Sequence, residues 1–177
     1  GRYFEACLNP MGYSRQFDFL GNSIACLLKL GTLEQRTSIL ETGQSIVHNL
    51  PLKLCPAFWP PIFETDPEWP SLHLSFKDKF RNEPFRYHNG GSWPMVTGWW
   101  GSALLTEGYR DDAIAVLNTL HVANSLGQDE NVWEFNECFT SITGAPDGVT
   151  PCAWSAAAPL MLNAQLSGRS SLTFGNP

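Results

Sequence analysis

The chain has no surplus of basic residues. Its 177 residues carry 11 Lys and Arg against 17 Asp and Glu, a net charge of −6. A phosphate backbone or an anionic bilayer is gripped through a basic patch, so neither a nucleic acid nor a membrane is expected as a partner. No apolar run comes near the roughly 18 residues of a membrane span. The opening stretch GRYFEACLNP has no basic region followed by an apolar one, so no secretory leader is expected in it. Five cysteines stand far apart, with no C-x-x-C and no short Cys/His spacing, which excludes a patterned zinc or other metal site and a disulfide framework. No N-x-[ST] acceptor occurs either, and both absences point to a reducing, cytoplasmic setting. Walker and dinucleotide glycine patterns are missing as well.

What is present is apolar and aromatic. Hydrophobic residues make up 43% of the chain and charged ones only 16%, enough for one ordered domain over residues 1–177. Four of the seven tryptophans (Trp59, Trp69, Trp93 and Trp133) lie in or beside irregular, proline-rich sequence. Flat rings in such places either pack a core or stack on sugar faces.

Residues 17–30 read as a buried helix stopped by Gly31. Thr32 opens a second helix, with Gln35 completing a capping box, and Leu33, Ile39, Leu40, Ile46 and Val47 recur on one side until Pro51. Residues 51–93 hold seven prolines and read as one long irregular segment, a length that tends to be functional. Residues 94–107 form a helix with Pro94 in its first turn. Residues 110–126 form another, with Ala113, Ile114, Val116, Leu117, Leu120 and Ala123 facing inward. A second irregular segment spans 127–152, a last apolar helix follows in AWSAAAPLMLNAQL, and the tail 168–177 is expected to fray. Tight glycine-stopped turns alternate with long loops. That is the pattern of all-α helical hairpins whose long loops gather at one end, and an α/α toroid or part of one fits it better than a plain bundle.

Two loop stretches carry candidate chemistry. FRYHNGGSWP gathers Arg86, His88, Asn89, Gly90 and Trp93 around a turn. His88 has no partner at ligand spacing, and Ser92 lacks the second glycine of a nucleophile elbow. In WEFNECF, Glu134 and Glu137 stand among Trp133, Phe135 and Phe139. A carboxylate among rings loses solvation and needs a hydrogen bond or a cation in compensation, a setting suited to general acid/base work. Asp18 begins a helix, where a carboxylate complements the dipole.

These motifs resemble the neutral and alkaline invertases, family 100 of the glycoside hydrolases. PFRYHNGGSWP looks like that family's signature loop, RQFDFLGNSIA like its helix start, FWPPIFETDPEW like its proline-rich loop, and CAWSAAAPLML like its closing helix. The resemblance implies a six-hairpin (α/α)6 barrel that hydrolyses sucrose with inversion at the glucosyl carbon. Inversion needs two carboxylates roughly 6.5–9.5 Å apart, one protonating the leaving oxygen and one activating water. Glu137 in FNECF falls in the slot of the general base, with TGAP following as in related toroid glycosidases; Trp133-Glu134-Phe135 is a rival match, leaving Glu134 as the alternative. The sugar pocket would be shaped by Arg86, His88, Asn89, Gly90, Trp93 and Trp154, with Asp18 counted beside them. No cofactor is implied. The family's general acid lies upstream of everything matched, so the chain looks like the C-terminal half of the barrel. A missing N-terminal half or a second copy in a homo-oligomer would complete it around a small sugar. The alternatives are a glucosylglycerate- or trehalose-type hydrolase, a carbohydrate-binding half-barrel without catalysis, and a helical-repeat interaction protein.

Overall fold

The computed structural model describes residues 1–7, 12–75, 78–127 and 133–169. Among them six helices carry the fold: α1 (Phe19–Leu27), α2 (Leu33–His48), α3 (Trp69–Ser75), α4 (Pro94–Thr106), α5 (Arg110–Ser125) and α6 (Ala153–Leu166). Four two-residue strands pair antiparallel: β1 (Phe17–Asp18) with β2 (Phe58–Trp59), and β3 (Cys138–Phe139) with β4 (Pro146–Asp147). No helix among the described residues is long and apolar enough to cross a membrane.

Local chemistry sets the boundaries. The helix expected from residue 17 begins at Phe19 instead, because Phe17 and Asp18 are drawn into β1. Asp18 then caps α1, its Oδ1 accepting the Gly21 N–H at 2.9 Å. The Thr32 capping box is present in full, with Gln35 Oε1 accepting from the Thr32 N–H at 2.8 Å. Leu33 and Ile114, expected to face inward, are exposed: Leu33 is the first residue of α2, and Ile114 lies about 100° around α5 from the buried Ala113. The long segment 51–93 is not wholly irregular, since α3 lies inside it, too short to show a helical period.

Helix α4 is the centre, packed against α1, α5 and α6. Val96, Trp100, Ala103 and Leu104 are buried along it. Two glycines let its neighbours close in. A Cβ on Gly98 would lie 2.8 Å from that of Ala158 in α6, and one on Gly101 would lie 2.5 Å from Leu162 Cδ2. Pro159 sits inside α6, where it can give no N–H to the Ser155 carbonyl one turn back. That carbonyl is satisfied from α5 instead, by Asn124 Nδ2 at 2.7 Å. Of the tail expected to fray, the N–H groups of Gly168 and Arg169 still bond carbonyls of α6; residues 170–177 lie outside the described residues.

The long loops meet in one layer, as the hairpin pattern predicts. Ser92 exchanges both backbone hydrogen bonds with Phe139, at 2.9 and 2.8 Å. Beside it, Ala57 N–H bonds Gly91 O and Trp93 N–H bonds Cys55 O, both at 2.9 Å. Phe19 N–H bonds Ala57 O, and Cys152 N–H bonds Phe135 O. The starts of α1, α4 and α6 are thereby tied to the same layer, and the candidate site is built there.

Candidate active site

The signature loop is shaped by its own backbone contacts. Asn89 is fully buried; its Oδ1 accepts the Ile62 N–H at 2.7 Å, and its Nδ2 donates to Ile62 O and Asn82 O. Gly90 adopts φ +88°, with Pro61 and Phe85 packed where a side chain would go. Asn89 and Gly90, expected to shape the sugar pocket, hold the loop's own backbone in shape.

What the loop presents is a stack of rings. Tyr87 and His88 lie 4.3 Å apart, His88 and Trp93 5.3 Å apart at 25°, and Trp93 Nε1 donates to Tyr87 O at 3.0 Å. The Arg81 guanidinium sits over the Tyr87 ring, 4.3 Å from its centroid. Burial, and then the Arg81 charge, push the His88 imidazole below its ordinary 6.5, so it stands neutral at neutral pH. His88 and Trp93 share a cavity of about 270 Å³ with Asp18, lined otherwise by apolar side chains including Phe58 and Met95. Burial raises the Asp18 carboxyl, against the opposing hydrogen bonds from Gly21 and Leu20 N–H. Three of the expected residues are thus brought together.

Glu137 is linked to the loop through Arg81, which faces both its carboxylate and the Tyr87 ring. The segment before it is pinned to the helices: Asn136 Nδ2 donates to Leu126 O, Ser155 Oγ to Asn136 O, each at 2.8 Å. Glu137 N–H bonds Val149 O at 2.9 Å, and its Oε2 accepts the Val149 N–H at 3.1 Å. Its side chain is only 9% exposed, and Arg81 Nη2 lies 3.9 Å from Oε2. The compensation that burial of a carboxylate demands is therefore supplied by one amide and one cation. Arg81 Nη2 also lies 4.0 Å from Asp147 Oδ1, while Arg86 Nε reaches Asp147 Oδ2 at 3.1 Å. Burial alone would raise the Asp147 carboxyl, but hydrogen bonds from Arg86 and the Gly148 N–H, with the Arg86 and Arg81 charges, hold it below its ordinary value.

The aromatic surroundings expected for Glu137 are supplied differently. Trp133 is half exposed and meets Phe135 at 6.2 Å. The ring that senses the Glu137 charge is Tyr87, raised first by burial and next by that carboxylate. Glu134 lies in the same segment, its carbonyl accepting from Thr150 Oγ1. Trp154, in the first turn of α6, is half exposed and is not among the residues lining that cavity. Arg81, Tyr87 and Asp147 were not singled out by sequence. Arg81 is 56 residues from Glu137 in the chain, and only the aromatic loop beside it hinted at its place.

Comparison with known proteins shows the family of the chain. A family model described as alkaline and neutral invertase matches residues 1–163. The chain is 38% identical over 100 residues to alkaline/neutral invertase C, mitochondrial, of Arabidopsis thaliana, covering 54% of this chain and 14% of the relative. It is 33% identical over 120 residues to neutral/alkaline invertase 1, mitochondrial, of Oryza sativa subsp. japonica, covering 63% and 17%. Cytosolic invertase 1 of the same rice is 32% identical over 105 residues, covering 54% and 16%. The matched stretch thus spans about a sixth of each relative's length.

Proposed function

The chain belongs to the alkaline and neutral invertase family, and we propose that it forms the C-terminal part of an (α/α)6 toroid that hydrolyses sucrose with inversion. Glu137 activates the attacking water, and Glu134 is the rival for that role. The observation that carries the choice is the setting of Glu137: buried, fixed through Oε2 by the Val149 N–H, and faced by Arg81. Both contacts among the described residues fall on Oε2, which leaves Oε1 to take a proton from water. His88, Trp93 and Asp18 line the cavity that takes the sugar; Trp154, exposed on α6, is kept as a further sugar contact.

The charges at the site favour an uncharged substrate. Among the described residues of the site, Arg81 and Arg86 are each paired with a carboxylate, Glu137 or Asp147, which disfavours the added carboxylate of a glucosylglycerate. Two helices support completion of a ring by further helices, from an N-terminal half or a second copy. Neither α1 nor α6 contains a charged residue, yet Ile24 and Leu28 beside α1 and Leu160 in α6 stand exposed. Helices that apolar are ordinarily covered on all sides. The upstream general acid would arrive with that covering. A cytosolic location belongs to the same proposal, with the rice cytosolic relative in its support.

The test is sugar release from sucrose, trehalose and glucosylglycerate, with mass in solution measured alongside and the anomer of the first glucose read by proton NMR. Release of β-glucose from sucrose alone, by an assembly larger than this chain, is expected. Release of α-glucose first, or activity confined to another substrate, overturns the reading.

A further inference from the structure

The geometry points to Arg81 and Asp147 as a positioning pair that holds the Glu137 carboxylate on its Val149 contact. This rests on the reading of Glu137 as the base, and it adds the residues that aim it. Arg81 is restrained on two sides. The Tyr87 ring lies beneath its guanidinium at 4.3 Å, and Asp147 Oδ1 lies 4.0 Å from its Nη2. The same Nη2 lies 3.9 Å from Glu137 Oε2. Asp147 is in turn anchored by Arg86 at 3.1 Å and by the Gly148 N–H at 2.8 Å. The order is a relay: Arg86 fixes Asp147, Asp147 and Tyr87 fix Arg81, and Arg81 fixes one oxygen of Glu137.

A planar guanidinium suits this arrangement and an ammonium does not. Its carbon sits over the Tyr87 ring while its terminal Nη2 stays within 4.0 Å of both carboxylates. The strands deliver the two acids together. Asp147 pairs with Cys138, the residue next to Glu137, so Glu137 and Asp147 sit on adjoining backbone and meet one cation. Arg81 is a positioning residue here, since it works through Glu137.

Two measurements on the full chain test this. The Val149 amide resonance reports the hydrogen bond to Glu137 Oε2 whether or not sugar is turned over. Arg81→Met and Asp147→Asn are expected to move it in the same direction as Glu137→Gln, and Arg81→Lys to move it part of the way. An unmoved Val149 resonance in both Arg81→Met and Asp147→Asn overturns the proposal. In the assembly that releases glucose, Arg81→Met is expected to lower kcat roughly 10- to 100-fold with KM within about twofold, the signature of a misaimed group. A raised KM at unchanged kcat would make Arg81 a sugar ligand and overturn the positioning role. If Glu137→Gln keeps full activity while Arg81→Met still moves Val149, the assignment of the base fails and the pinning stands.

Discussion

Gly148→Ala is the sharpest probe of how tightly Glu137 is cradled. Gly148 adopts φ +83°, and a Cβ there would lie 2.5 Å from Glu137 Oε2, 2.7 Å from Glu137 Cβ and 3.2 Å from Cys138 Sγ. Carbon contacts settle near 3.5–4.0 Å, so the pair of Cβ atoms is about 1 Å too close. Swinging the carboxylate aside relieves only the first contact, because Glu137 Cβ is held by backbone bonded to Val149. The left-handed backbone costs a non-glycine residue about 1–2 kcal/mol. Forced overpacking adds about 1–3 kcal/mol. The total is about 2–5 kcal/mol, a fall in Tm of about 4–20 °C at about 2–4 °C per kcal/mol for a domain this size. Gly108→Ala separates the two contributions. Gly108 has φ +93° with nothing within 4 Å of the added Cβ, so only the backbone cost applies and about 2–8 °C is expected. Thermal unfolding followed by circular dichroism gives both values. Equal losses in the two variants would show that no close contact exists at Gly148 and refute the cradle.

Three further outcomes follow from the same contacts. Asn124→Ala strips the Ser155 carbonyl of its replacement donor and is expected to cost about 1–3 kcal/mol in urea unfolding; Pro159→Ala restores the helical N–H and should recover about 1 kcal/mol or more of that loss in the double mutant, whereas strict additivity would contradict the pairing. Thr32→Ala removes the capping box of α2 and is expected to cost about 0.5–2 kcal/mol, with no loss counting against the cap. Asp147 is held below its ordinary 3.8, so its stabilising contribution is complete above that pH and is lost as pH falls through its lower folded value. The melting gap between the wild type and Asp147→Asn should accordingly be full at neutral pH and close on acidification below 3.8; a gap that widens in acid would contradict the ion pairs with Arg86 and Arg81.

The helices were largely legible because their signals are local. The capping box at Thr32, Pro94 at the start of α4 and the stripe on α5 each lie within a few residues of what they specify. The start of α1 was misread by two residues because the pairing of Phe17 with Trp59 is a contact across 42 positions, invisible to any window. Glu137 was singled out by its aromatic context and its following turn. Its partners were not. Arg81 sits in proline-rich sequence with no period, and Asp147 in TGAPDG looks like an ordinary turn acid until β3 and β4 pair. The clamp made by Asn89 was equally hidden: a polar side chain in a ligand-like motif bonds the backbone of Ile62, 27 residues away, since a buried amide must find partners wherever the chain folds.

The account rests most heavily on Glu137. Its most direct test is sucrose hydrolysis by the active assembly carrying Glu137→Gln, set against Glu134→Gln, with the Tm of each recorded. The amide keeps the shape but loses the charge that strengthens the Val149 contact, and it cannot take a proton. Glucose release should fall roughly 100- to 10,000-fold in Glu137→Gln while Tm stays close to wild type, and Glu134→Gln should remain active. Near-normal release by Glu137→Gln, with loss in Glu134→Gln, would contradict the assignment.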